Sequence, residues 1–266
     1  MKIGIIGCAG RMGRMLIETV LQTDGAELAG GCEAPGSPHQ GKDLAGLVGA
    51  PPSGLLVSAD ARALFVAAGV VIDFTTPSVT LANAAIAAEA GTALVVGTTG
   101  FDSGQMATLR AKAENTVIIQ ASNFSIGVNL LEGLTCQVAA LLGEEYDIEI
   151  VEMHHKHKVD VPSGTALALG EAAATGRRVV LDNVAQRGRD GHTGARRAGD
   201  IGFATLRGGD VVGDHTVIFA GASERVELTH KAASRSVFAC GAVRSALWSV
   251  GRAPGFYTMR DVLGFD

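Results

Sequence analysis

With 266 residues, 47% of them hydrophobic and 18% charged, the chain is long enough to bury a sizeable core in one large domain or two unequal ones. A formal net charge of −5 argues against nucleic acid as a partner. The four cysteines (Cys8, Cys32, Cys136, Cys240) are scattered, no run of 18 apolar residues calls for a membrane span, and the apolar stretch from Met1 to Gly7 is too short for a signal sequence, so a disulfide-free, cytoplasmic protein without membrane partners is expected.

Lys2-Ile3-Gly4-Ile5-Ile6 reads as a short buried strand, and Met15, Leu16, Val20 and Leu21 recur at helical spacing after the turn Gly7-Cys8-Ala9-Gly10-Arg11-Met12-Gly13. Glycines at 7, 10 and 13 are a variant of the dinucleotide fingerprint, in which they permit a tight turn, close approach of backbone to pyrophosphate and close packing of helix on strand. Alone the pattern is generic. Two facts strengthen it: the turn follows the first strand, and Glu33 ends a second strand over residues 27–32, where a carboxylate can take the ribose hydroxyls of an adenosine. Gly7, Cys8, Ala9, Gly10, Arg11, Met12 and Glu33 are therefore the candidate cofactor residues at this end.

The alternation continues with a strand from Val70 to Phe74, a helix that starts near Thr75-Thr76-Pro77-Ser78 and is stopped by Gly91, a strand over 93–96, a helix near 103–114 and a strand from Val117 to Ala121. In a doubly wound sheet the carboxyl ends of the strands face the ligand. That places Gly97, Thr98 and Thr99, and then Ala121, Ser122, Asn123 and Phe124, near the nicotinamide half; for the two threonines helix capping is an equal alternative. After Phe124 a helix over 126–142 is followed by strands over 147–153, 200–206, 211–220 and 224–231 that are expected to lack βαβ crossovers. Arg207-Gly208-Gly209-Asp210 and Gly221-Ala222-Ser223 read as hairpin connections between consecutive strands, and residues 236–251 return to helical spacing, packing back on the first domain. The expected fold class is α/β: a Rossmann-type doubly wound parallel sheet (residues 1–123 plus 236–266) with a second α+β domain (124–235) for substrate binding and oligomerisation.

The block Glu152-Met153-His154-His155-Lys156-His157-Lys158-Val159-Asp160-Val161-Pro162-Ser163-Gly164-Thr165-Ala166 holds five consecutive proton-bearing or cationic side chains, His154 to Lys158, ahead of a helix start. Histidine titrates near neutrality and a helix N-terminus attracts anions, so the block can bind an anion and deliver a proton. A metal site is the rival reading, but the neighbouring lysines disfavour a dication and no carboxylate stands among the histidines, so no metal is expected. In an extended segment 154 and 158 share a face. Asp160 is expected to form a turn or an ion pair with a cluster cation. Lys231 and Arg244 read by default as surface cations, able to meet a second carboxylate only if their elements fold back.

Together these motifs resemble the dihydrodipicolinate reductase family along the whole chain. The resemblance is carried by the glycine turn, Asp73-Phe74-Thr75, Val96-Gly97-Thr98-Thr99-Gly100-Phe101, Ser122-Asn123-Phe124-Ser125, the block from Glu152 to Ala166, Gly202-Phe203-Ala204 and Gly241-Ala242-Val243-Arg244-Ser245-Ala246-Leu247. The family implies NAD(P)H-dependent reduction of a small cyclic dicarboxylic imine to tetrahydrodipicolinate, on the diaminopimelate route to lysine, in a homotetramer built through the substrate domain's sheet. By the same match His154 is a proton donor or acceptor, Lys158 the proton donor, His155 a substrate-binding residue, and Gly164 and Thr165 the site for a substrate carboxylate. Many members carry arginine directly after the acidic ribose residue; here Glu33 is followed by Ala34-Pro35-Gly36, which favours NADH over NADPH, although Arg11 and Lys42 could approach a phosphate. The alternatives are a dinucleotide-binding redox sensor without turnover, which the presence of His154 and Lys158 disfavours, and a dehydrogenase of another small acid such as aspartate.

Overall fold

The computed structural model describes residues 1–265, which divide into two compact units: residues 1–126 with the C-terminal stretch from Ser236, and residues 127–235. Among the described residues no helix is long and apolar enough to cross a membrane.

Unit 1 begins with β1 (Lys2–Ile6), α1 (Arg11–Gln22) and β2 (Glu27–Cys32), passes a 3-10 turn at Ala45–Val48, and continues through α2 (Ala61–Ala67), β3 (Val70–Asp73), α3 (Pro77–Ala90), β4 (Ala93–Val96), α4 (Ser103–Lys112) and β5 (Val117–Gln120). Unit 2 follows with α5 (Ile126–Leu142), whose first residue belongs to unit 1, then β6 (Asp147–His154), α6 (Gly164–Gly176), α7 (Leu181–Val184), β7 (Ala185–Gln186), β8 (Ile201–Arg207), β9 (Gly213–Ala220) and β10 (Arg225–Ala232). The chain returns to unit 1 in α8 (Ser236–Trp248), β11 (Gly255–Tyr257) and α9 (Met259–Leu263).

The first sheet is parallel, in the order β11-β5-β4-β3-β1-β2. Its central strands are apolar on both faces because helices cover both, as parallel sheets require. Ile3, Ile5, Val70, Ile72 and Val95 pack against Leu16 and Ile17 of α1 and Ala242 and Val243 of α8, while Val71, Leu94 and Ile118 point to the other face against Phe65, Ala84 and Leu109. The helix boundaries follow local chemistry. Pro77 occupies the first turn of α3, Gly91 ends it at φ +67°, and α4 opens with an Asp102–Gln105 capping box. The helix expected after residue 236 is α8 and lies in unit 1. β11, beyond the last expected helix, adds a sixth strand.

The second sheet is mixed, in the order β10-β9-β6-β8-β7, and it corrects two expectations. β8 and β9 do not form a hairpin through Arg207-Gly208-Gly209-Asp210, because β6 lies between them, antiparallel to β9 and parallel to β8. Nor do the strands lack a crossover: parallel β6 and β8 are joined through α6, which packs Ala166, Leu169 and Ala173 on Ile148, Ile150, Phe203 and Val217. The second expected hairpin, β9 to β10 around Gly221–Ser223, is formed with Ala220 opposite Arg225. β6 alternates between half-exposed and buried residues along its whole length, so one face is core and the other is open.

Gly241 on α8 shows how tightly unit 1 closes, since a Cβ there would lie 1.7 Å from the Phe124 carbonyl oxygen. Gly241→Ala is expected to lower unfolding stability by about 1–3 kcal/mol or more. Gly188→Ala, whose added Cβ would meet nothing within 4 Å, should stay within about 0.5 kcal/mol of the parent. Equal urea midpoints for the two variants would contradict this packing.

Candidate active site

In unit 1 the turn after β1 prepares an anion site. Gly7 sits at φ +71°, and Gly13 admits no side chain, because a Cβ would come 2.2 Å from the Gly7 carbonyl oxygen and 2.6 Å from the Cys8 Cα. Helix α1 therefore starts hard against the strand end. Its N-cap, Gly10, brings no capping side chain, which leaves the first-turn N–H groups to an anion. Burial pushes the Cys8 thiol up to about 12, aided by the charge of Glu33, so it adds no negative charge there. Arg14 straps the turn by donating to the carbonyls of Ala9 at 3.0 Å and Leu47 at 2.5 Å. Arg11 is exposed and Met12 half-buried at the helix start.

Glu33 stands directly after β2, and its Oε1 accepts the Ala9 N–H at 2.7 Å. The acid after β2 and the glycine turn after β1 are thus held together by one hydrogen bond. Beside them is a pocket of about 320 Å³ walled by Ala34, Pro35, Ala61 and Val79, with Glu33 and Thr75 at its polar edge and no lysine or arginine in its lining. The barred Cβ positions, the uncapped helix start and this acid-edged apolar slot fit a dinucleotide with its adenosine in the slot.

The other expected cofactor residues lie at the ends of β4 and β5. Gly97 is forced by Phe74, whose ring would lie 2.2 Å from a Cβ, and Phe74 in turn packs at 5.6 Å on Phe124. Thr98 faces inward: it is 2% exposed, its Oγ1 accepts the Thr75 N–H at 3.0 Å and lies 2.8 Å from Thr80 Oγ1, so its side chain caps no helix and does not face solvent. Thr99 is exposed. Ala121 is buried, Ser122 exposed, and Asn123 Oδ1 accepts the Ser125 N–H at 2.8 Å. Behind them Asp73 is fully buried, gripping Thr75 Oγ1 at 2.6 Å and Asn83 at 2.8 Å; burial holds its carboxyl above the usual range against these hydrogen bonds.

In unit 2 the cationic block is not one extended segment. β6 ends at His154, and His155 to Lys158 form a turn closed by a Lys158 N–H to His155 carbonyl bond of 3.1 Å, so the strand parity expected for 154 and 158 does not apply. Glu152, His154, Thr205, Arg207 and His215 share the core face at the ends of β6, β8 and β9. Glu152 is 1% exposed; its Oε1 accepts from the Ser163 N–H at 3.0 Å and from Arg207 at 2.9 Å, and its Oε2 from Arg207 at 2.7 Å. His154 Nδ1 lies 2.7 Å from the same Oε2, as a donor to an ionised carboxylate. Burial would raise the Glu152 carboxyl, but Arg207 and His154 outweigh it and hold it below the usual range.

The His215 ring meets His154 edge-on at 5.0 Å, and its Nε2 lies 3.1 Å from Ser163 Oγ. Ser163 caps α6 by accepting the Ala166 N–H at 3.1 Å, and Gly164 and Thr165 form the helix's first turn, where a Cβ on Gly164 would meet nothing. Lys158 pairs with Asp160 at 2.8 Å, and Arg207 also donates to the Asp160 carbonyl at 2.7 Å, which realises the ion-pair reading of Asp160. His155, Lys156 and His157 line a groove of about 590 Å³ with Gly209, Asp210 and Arg235. Partial burial lowers the His155 titration, joined by the charges of Arg235, His157, His154 and Lys158. Among the described residues no cluster of three or more metal-ligating side chains is present.

Sequence reasoning did not single out Glu152 as a partner, nor Arg207, His215 or Arg235. Arg207 and His215 come from distant strands and only sheet register makes them neighbours; Glu152, at period two from His154, was within reach of pattern reading. Lys231 and Arg244, considered as carboxylate partners, are both exposed, Lys231 on β10 and Arg244 on α8 of the other unit.

Comparison with known proteins places these features in one family. The model for the N-terminus of dihydrodipicolinate reductase matches residues 1–124, and that for its C-terminus residues 127–263. A 4-hydroxy-tetrahydrodipicolinate reductase of Rhodopseudomonas palustris (strain BisA53) is 55% identical over 99% of this chain and 97% of its own, and one of Parvibaculum lavamentivorans is 55% identical over 100% and 98%. Among solved structures, a dipicolinate-bound dihydrodipicolinate reductase from Paenisporosarcina sp. TG-14 aligns with a TM-score of 0.76 at 26% identity, covering 97% of both chains. An amine dehydrogenase from Mycobacterium smegmatis shares the fold at a TM-score of 0.58 and 14% identity, covering 97% of this chain and 95% of its own.

Burial pushes the His215 titration down to about 4, with the charge of His154 next in effect. The unfolded chain takes up that proton near 6.5, so it binds more protons than the folded state between 6.5 and 4, and stability falls as pH drops through this window, by about 3 kcal/mol in all. His215→Asn is expected to lose less stability than the parent between pH 7 and pH 4.5. Identical losses in urea titrations at the two pH values would refute this assignment.

Proposed function

The chain belongs to the dihydrodipicolinate reductase family, and on that premise we propose that it reduces 4-hydroxy-tetrahydrodipicolinate to tetrahydrodipicolinate in the diaminopimelate route of lysine biosynthesis. The glycine turn after β1 and Glu33 would hold a nicotinamide dinucleotide, which would supply the hydride. The observation that carries the reading is the buried Glu152–His154 pair in the same unit as Lys158 and the open helix start at Gly164.

Loss of water from the 4-hydroxy substrate creates a conjugated C=C–C=N unit; hydride addition to that unit then puts negative charge on the ring, and a positioned acid must quench it. His154 is held with Nδ1 on Glu152, which leaves Nε2 as its working atom. Lys158 pairs with Asp160 and keeps further ammonium N–H bonds for donation. Gly164 and Thr165 hold one substrate carboxylate on the first-turn N–H groups of α6, and His155 with Arg235 faces the second. The cofactor reading is NADH. Glu33 edges a slot whose lining contains no cation, so a 2′-phosphate would meet a carboxylate without a compensating charge. Four free cysteines support a reducing cytoplasmic setting.

Oligomerisation follows the open face of the second sheet. Leu206 is 50% exposed there and Val151, Met153 and Ile218 are partly exposed, and cover of this face by a second copy would fit a homotetramer. Light scattering is expected to return four chain masses; a monomer at micromolar concentration would overturn the assembly.

The activity is tested by following oxidation of the reduced nicotinamide with freshly generated substrate. We expect kcat/KM with NADH to exceed that with NADPH by roughly tenfold or more. Lys158→Ala should lower kcat by roughly 100-fold or more while leaving the KM for NADH close to the parent. No substrate-dependent oxidation by the parent protein removes the reductase reading, and a preference for NADPH removes the cofactor reading alone.

A further inference from the structure

We propose that Glu152 and Arg207 act together as positioning residues that set when His154 holds its proton. The inference deepens the reductase reading, on which it rests for the role of His154.

Both Glu152 oxygens are committed. Arg207 takes one guanidinium N–H to each, at 2.7 and 2.9 Å, the forked geometry that gives arginine–carboxylate pairs their strength. Ser163 N–H and Thr205 Oγ1 complete Oε1 at 3.0 and 3.3 Å, and His154 Nδ1 completes Oε2 at 2.7 Å. The ring is therefore fixed in the tautomer that donates through Nδ1 and presents Nε2. On that side Gly213 keeps the space clear, since a Cβ there would come 3.0 Å from Nε2; its φ is not positive, so room and not backbone conformation requires glycine.

The charges then decide what the ring can do. A lone Glu152 carboxylate would hold His154 as the imidazolium and oppose release of the proton. A lone Arg207 would expel the proton and leave nothing to deliver. Paired, they have no net charge but still aim an oxygen at Nδ1, so the ring can both accept and release. The other titratable groups around His154 leave this balance in place. His215, edge-on from β9, stays uncharged above about pH 4 because it is buried. Lys158 on the following turn is paired with Asp160. His155 and His157 occupy the same turn, and His155 is held toward its neutral form by partial burial and the surrounding cations.

The test follows the His154 ring by NMR across pH in the full-length protein, beside the pH profile of kcat/KM. Glu152→Gln should move the ring's titration midpoint down by roughly one pH unit or more, and Arg207→Met should move it up by a similar amount, with Arg207→Lys returning it toward the parent. Opposite shifts are a signature that a purely structural role would not produce. If Glu152→Gln fails to fold, the Arg207→Met and Arg207→Lys pair decides alone. Midpoints that stay in place, or move in the same direction in the two charge-removing variants, overturn the proposal. Midpoints that move as expected while the kcat/KM profile stays fixed uphold the tuning and instead remove His154 from the proton transfer.

Discussion

The carboxylate of Glu152 is the contact on which unit 2's site depends. At 1% exposure it survives as a charge only because partners surround it, and breaking such a buried pair costs about 3–5 kcal/mol. Its partners come from three places: Arg207 at the end of β8, Ser163 at the start of α6 and His154 on its own strand. The influence reaches further through Arg207, which also grips the Asp160 carbonyl, and Asp160 in turn holds Lys158. Both residues assigned to proton handling are thus placed by one anion, His154 directly and Lys158 at the end of a short chain of contacts.

Unit 1 is governed by steric exclusion where unit 2 is governed by charge. Gly13, Gly97 and Gly241 each occupy a place where a Cβ would overlap a neighbour: the Gly7 carbonyl, the Phe74 ring and the Phe124 carbonyl. The first brings helix α1 onto the strand end, the second lets Phe74 pack beside the β4 terminus, and the third seats α8 against the turn after β5. A backbone this close can present N–H groups to a phosphate without intervening side chains. Glu33 adds the polar edge, and because it bonds to Ala9 it cannot drift from the turn it serves.

How much of this was legible depended on sequence distance. β1 to β5 and helices α1, α3 and α4 could be read in order because they carry local boundary signals, such as Pro77, Gly91 or the Asp102–Gln105 box, whereas α2 and the 3-10 turn between β2 and β3 were not read. The second sheet was misread where its order departs from chain order: the glycines between β8 and β9 look like a hairpin, and nothing local reveals that β6 will insert between those strands. The block from His154 to Lys158 was legible as chemistry and not as shape, since a strand and a turn place the same residues differently. Thr98 looked like a cofactor contact or a cap, yet its hydroxyl is spent on Thr75 and Thr80. Arg207 and His215 lay 55 and 63 positions from Glu152 (207 − 152 and 215 − 152), beyond any periodic pattern, and became visible only through register.

Beneath their different topologies the two units repeat one local device. In unit 1 a parallel strand, β1, ends in a turn that opens into α1, and an acid from the neighbouring strand end, Glu33, bonds back to the turn. In unit 2 the parallel pair β6 and β8 is bridged by α6, and an acid on β6, Glu152, bonds to the N-cap of that helix through the Ser163 N–H. In both cases a carboxylate accepts one backbone N–H beside a helix start, that of Ala9 in unit 1 and that of Ser163 in unit 2. The difference lies in the second partner. Glu33 has no cation in the slot beside it, whereas Glu152 is forked by the Arg207 guanidinium while it accepts from His154. The same side chain type thus stands without a cation in one unit and is neutralised in the other, and this charge contrast underlies both the proposed cofactor preference and the proposed tuning of His154.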